Sequence, residues 1–112
     1  MKEEISKKRR EIPNPKPVLL KGIYYESVPW GKARGLGQNG GFIRAVDKTT
    51  GSEKWLLKVY DVVYKKDMED DKQDVFISEL YMESECLLHV VNERERHYLV
   101  NIDKQTVTEL KV

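Results

Sequence analysis

The sequence predicts a mainly β fold, an antiparallel β-meander built as a single sheet, a sandwich or a partly open barrel, with at most short helical turns. Three observations lead there. From Val18 onward the chain is made of short runs rich in Val, Ile, Leu and Tyr, each ended by residues that favour turns. Residues 29–41 hold five glycines, which prevents a stable helix and argues against a central strand. Near the C-terminus, Tyr98, Val100 and Ile102 alternate with Leu99 and Asn101, the period-two pattern of a strand with its first set facing a core.

Taken in order, residues 1–17 read as a flexible, charged tail. Pro13, Pro15 and Pro17 remove three backbone donors and disfavour helix on either side. Residues 18–112 then form one β-rich domain. Val18–Leu20 and Ile23–Val28 flank Lys21-Gly22, a pair suited to a tight hairpin. Residues 29–41 form a long loop, and loops of that length without structure of their own are commonly functional. Phe42–Asp47 and residues 54–64 are expected as strands joined through Lys48-Thr49-Thr50-Gly51-Ser52, with a glycine where a bulged hairpin loop wants one. The acids of residues 65–74 suggest a solvated connection in which Met68 anchors one helical turn. Strands over residues 75–83, 86–92, 96–102 and 107–110 complete the meander.

At 112 residues, 39% hydrophobic and 35% charged, the chain has the size and composition of one globular domain. No stretch approaches the roughly 18 apolar residues of a spanning helix, and the N-terminal segment lacks the apolar run of a secretory signal, so no membrane partner and a cytoplasmic location are expected. Cys86 is the single cysteine, which excludes an intrachain disulfide and fits a reducing compartment. A net charge of +1 gives little long-range pull on nucleic acid, so such binding needs a local patch.

Residues 45–55, Ala-Val-Asp-Lys-Thr-Thr-Gly-Ser-Glu-Lys-Trp, match Ala-x-Asp-x-x-Thr-Gly-x-x-x-Trp throughout. The segment resembles the signature of blades in PQQ-type β-propellers. That resemblance implies strand-turn-strand with Trp55 docked on a neighbouring blade, and no cofactor. A complete propeller needs at least four blades of about 40 residues, more than this chain offers.

Catalytic constellations fare poorly. Gly35-x-Gly37-x-x-Gly40 has the spacing of a dinucleotide fingerprint with Asp61 downstream, yet strand-like Phe42–Asp47 follows where a helix N-terminus must receive the pyrophosphate. The same glycines with Lys58 are similar to a kinase glycine loop and its lysine, but no His-Arg-Asp or Asp-Phe-Gly element holds Mg²⁺ or orients a nucleophile. Cys86 lies beside Leu87 and Leu88 and reads as core. No Gly-x-Ser-x-Gly elbow occurs, and the acidic run lacks calcium-loop spacing. Cys86, His89 and His97 are the candidate metal ligands. Cys86 and His89 should occupy opposite strand faces, and His97 should be a surface residue in a turn, so no metal or other cofactor is expected.

The expected function is therefore non-enzymatic binding of a macromolecule through residues 30–41. Trp30, Lys32, Arg34, Gln38 and Asn39 supply an aromatic anchor and several donors. A protein partner is the leading reading, an immunity-type protein that covers a toxin being one concrete form. Nucleic acid is the second, through Lys7-Lys8-Arg9-Arg10 with Lys32, Arg34 and Arg44. A small ligand or nucleotide held by the glycine-rich loop is the third. An exposed sheet edge could also pair two copies into a homodimer.

Overall fold

The computed structural model describes residues 11–111, so the basic run at residues 7–10 lies outside the described residues. Residues 11–17 carry no regular structure, and Pro13 and Pro15 are half-buried. Eight strands follow: β1 (Val18–Leu20), β2 (Ile23–Val28), β3 (Phe42–Asp47), β4 (Glu53–Lys58), β5 (Ile77–Met82), β6 (Leu87–Asn92), β7 (His97–Asn101) and β8 (Thr106–Leu110). They form two four-stranded sheets in the orders β1-β2-β3-β4 and β5-β6-β7-β8, with every neighbouring pair antiparallel and no closed barrel. Among the described residues no helix is long and apolar enough to cross a membrane.

Register decides which side chains meet. In the first sheet Val18, Tyr25, Ala45 and Trp55 lie opposite one another in a row across the strands. In the second, Met82, Leu88, Val100 and Val107 do the same. These rows face one shared core, in which Ile43, Ala45, Leu88, Val90 and Val100 are completely buried. Each Val, Leu or Ile side chain removed from water in this way contributes roughly 2 kcal/mol. Tyr98, Val100 and Ile102 are all in this core, as their alternation predicts. Half-buried Cys86 packs against its margin.

The hairpin turns use local chemistry. Lys21 (φ 50°) and Gly22 (φ 81°) both take positive φ, the signature of a type I′ turn, whose twist matches the flanking strands. Between β3 and β4, the Asp47 carboxylate accepts the N–H groups of Thr49 (2.8 Å) and Thr50 (3.1 Å). Asn101 accepts those of Asp103 and Lys104 between β7 and β8, and Asn92 those of Arg94 and Arg96 between β6 and β7. An Asx side chain thus replaces missing ladder partners at three of the turns.

Two expectations need correction. The fourth strand stops at Lys58 instead of running to residue 64. Beyond it the Gln38 amide takes over: its Nε2 donates to the carbonyls of Gly40 and Tyr60, and its Oε1 accepts from the Val62 N–H. One side chain satisfies groups that a sheet neighbour would otherwise pair, so the chain leaves the sheet. The helical turn, α1 (Asp70–Gln73), is tied by buried Gln73, whose Nε2 donates to the carbonyls of Lys65, Met68 and Glu69. Met68 is 48% exposed and does not anchor it.

Candidate functional site

The loop over residues 29–41 is more ordered than its composition suggests. Gly31–Arg34 form a 3-10 turn closed by left-handed Gly35, whose N–H donates to Lys32 O at 3.0 Å. Gly31 is buried: a Cβ there would lie 2.2 Å from the Gln38 carbonyl oxygen and 2.6 Å from the Phe42 ring. Gly40 is equally confined, 2.4 Å from Val75 O by the same measure. Close chain approach therefore explains these two glycines without any ligand. Strand β3 follows the loop directly, so no helix N-terminus faces it.

The five residues singled out from the sequence divide into two groups. Gln38 is 5% exposed and its amide is spent on the interior bonds described above. Asn39 is half-buried: its Oδ1 accepts the Lys32 N–H, and its Nδ2 donates to buried Asp74, which also accepts the Tyr64 hydroxyl. These two shape the loop from beneath. Trp30, Lys32 and Arg34 lie at the surface side. Trp30 is 41% exposed, and the Lys32 ammonium sits 4.1 Å from the centre of the Tyr64 ring.

Arg34 and Arg44 approach the Trp30 ring to 5.7 and 5.4 Å, both within cation–π range. Arg34 makes a bidentate pair with Glu53 at 2.8 and 2.9 Å. Arg44 bonds Glu26 at 2.6 Å and reaches Glu53 at 3.4 Å. Hydrogen bonding from Arg34 holds the Glu53 carboxyl below the ordinary carboxylate range, keeping it charged. The result is an alternating chain, Glu26–Arg44–Glu53–Arg34, lying beside an exposed indole on the outer face of the first sheet. Glu26, Arg44 and Leu56 share one cross-strand row there, and half-exposed Leu19 sits in the next row with Tyr24 and Val46. Exposed ion pairs of this sort are worth about 1 kcal/mol or less each, so their main effect is to fix the two guanidiniums in place.

A second constellation escaped the sequence reading. His97 is half-buried at the start of β7 and is not a free surface histidine in a turn. Its Nδ1 lies 2.7 Å from Nε2 of buried His89, whose Nδ1 meets Glu83, and Tyr81 stacks on His89 at 4.6 Å. The register pairs Val91 with His97 and His89 with Leu99, so the histidines are diagonal neighbours on the outer face of the second sheet. Both ring nitrogens of His89 and Nδ1 of His97 already have partners. Among the described residues no group of three or more His, Cys, Asp or Glu is arranged to hold a metal ion. No protein-family model matches the chain, and no curated protein matches it.

Proposed function

We propose that the protein is a non-enzymatic binding domain whose partner protein docks on the outer face of the first sheet, with Trp30 as the anchor. The single observation that carries this is the exposed Trp30 ring flanked by Arg34 and Arg44, both immobilised by Glu26 and Glu53. Tryptophan and arginine are the side chains that most often dominate protein interfaces, and a prearranged pair loses little entropy on binding. Each guanidinium already carries a carboxylate, so the patch presents no excess positive charge to a phosphate backbone. That favours a protein partner over nucleic acid at this face. Gln38 and Asn39 act as the internal support of the loop that carries Trp30.

The test is crosslinked capture from lysate with the wild type and a Trp30→Ala, Arg34→Ala double variant, each with and without nuclease, after thermal unfolding shows both to be folded. A protein captured by the wild type and lost with the double variant supports the reading. Capture that the substitutions leave unchanged removes Trp30 from the interface, and capture that nuclease abolishes replaces the protein partner with nucleic acid.

A further inference from the structure

Away from the Trp30 face, the connection from β4 to β5 and residues of the β6–β7 turn, β7 and β8 line a groove of about 770 Å³. Its apolar floor comes from Val59, Val62, Val75 and Val107, with Tyr60 and Tyr98 stacked at 5.2 Å along one side. Burial pushes the Tyr60 hydroxyl far above its ordinary range, so it stays protonated and donates to Val75 O at 2.7 Å. Val63 is 83% exposed at the same groove, an aliphatic side chain left in water.

The polar lining is asymmetric in charge. Its neutral amides are spent internally, Gln73 on the connection and Asn92 on its turn. The two acids among the described lining residues are each matched already, Asp61 by Lys58 at 2.6 Å and Glu109 by Arg96 at 3.1 Å. Lys65, Lys72 and Arg94 remain. Lys72 reaches Glu69 only at 4.0 Å, and neither Lys65 nor Arg94 has a carboxylate within ion-pair distance among the described residues. Asp67 and Glu69, though on the same connection, do not line the groove.

We propose that this groove is a binding site for an amphipathic organic anion: an aromatic or aliphatic body on the valine and tyrosine floor, with a carboxylate, sulfonate or phosphate held by Lys65 and Arg94. The volume lies within the range of small-molecule sites, and an apolar floor under a few convergent charged groups is their usual chemistry. The anion's charge matches Lys65 and Arg94, and its body covers the apolar surface that half-buried Val62 and Val107 and exposed Val63 leave in water. This site is independent of the Trp30 surface and stands or falls separately from it.

The probe is 8-anilinonaphthalene-1-sulfonate, titrated by fluorescence into the folded protein near neutral pH, with uncharged N-phenyl-1-naphthylamine as the control of nearly the same body. One saturable site is expected, with the neutral compound weaker by about tenfold or more, the difference expected when a partly desolvated charge contact is removed. A Lys65→Glu, Arg94→Glu variant should lose affinity for the anion by a similar factor and keep its affinity for the neutral compound. The Trp30→Ala, Arg34→Ala variant should bind the anion as the wild type does. Lys65 and Arg94 are exposed, so the fold should survive; if the double reversal lowers the melting temperature, Lys65→Gln, Arg94→Gln serves instead. Absence of saturable binding, equal affinity for the two compounds, or indifference to the charge substitutions overturns the proposal.

Discussion

Gln38 carries more structure than any other polar residue in the glycine-rich loop. Its partners at Tyr60 and Val62 are 22 and 24 residues away, so nothing in the local sequence separates this internal brace from an exposed donor. Gln38→Ala would leave the Val62 N–H and the Tyr60 carbonyl without partners and should cost about 3 kcal/mol in urea unfolding. A loss under about 1 kcal/mol would mean that water replaces the amide, and the end of β4 would need another explanation. Asp47 shows the opposite case, because its role was legible: an Asp opening a Thr-Thr-Gly turn is poised to accept N–H bonds from the residues just after it. The N–H groups of Thr50 and Thr49 hold its carboxyl below the ordinary range. A depressed folded pKa means that the native state binds fewer protons than the unfolded chain, so the stabilisation is present above the unfolded value of about 3.9 and lost as pH falls through the folded one. Asp47→Asn keeps the acceptor oxygen and removes the charge. The wild type should therefore melt higher than this variant near neutral pH, and the gap should shrink as pH falls below about 4 toward 2. An unchanged gap across that interval would remove the charged turn as its cause. His89 and His97 were legible only in principle, since eight residues spanning a short hairpin allow a diagonal pair, but the face they share depends on register.

At the scale of elements, alternation and turn residues located all eight strands, because each strand is a local run of β-branched and aromatic residues bounded by its own turn. What they could not give was where β4 ends, since Val59 to Tyr64, Asp61 apart, remain apolar and aromatic after the ladder has stopped. The glycine-rich loop is the other partial reading. Its glycines were visible, but which ones serve chain packing depends on Phe42, Val75 and Phe76, brought there by the fold. That distinction can be measured. Gly31→Ala forces a Cβ into the Gln38 backbone and the Phe42 ring and should cost about 3 kcal/mol, at the upper end of overpacking penalties. Gly37→Ala meets nothing within 4 Å and suffers only its positive φ, a cost of about 1 kcal/mol. Equal losses at the two positions would contradict the packing role assigned to Gly31. The resemblance of residues 45–55 to a propeller blade belongs at this scale too: the segment forms the β3–β4 hairpin, and Trp55 packs 5.9 Å from Tyr25 of the same sheet.

Across the whole molecule, the two sheets repeat one topology, four strands in sequential order, although the Ala45-to-Trp55 motif occurs only once. Sequential meanders could fold as two units. Their inner faces argue otherwise, because Tyr25, Ile43 and Ala45 of the first sheet belong to the same buried cluster as Leu88, Val90, Tyr98 and Val100 of the second. Among the described residues the two sets cover each other within this cluster, so exposing one exposes both. The two tryptophans of the chain make this measurable, since Trp30 and Trp55 both report on the first sheet. In a Trp30→Phe background, Trp55 fluorescence follows that sheet alone while far-UV circular dichroism follows both. Leu88→Ala removes a completely buried side chain from the second sheet and should cost about 3 kcal/mol. If the core is one cooperative unit, the urea midpoint from Trp55 falls by the same amount as that from circular dichroism, and the two curves coincide. A Trp55 transition that stays in place while the dichroism curve shifts or splits would show two separately folding sheets, with the shared cluster contributing little to their coupling.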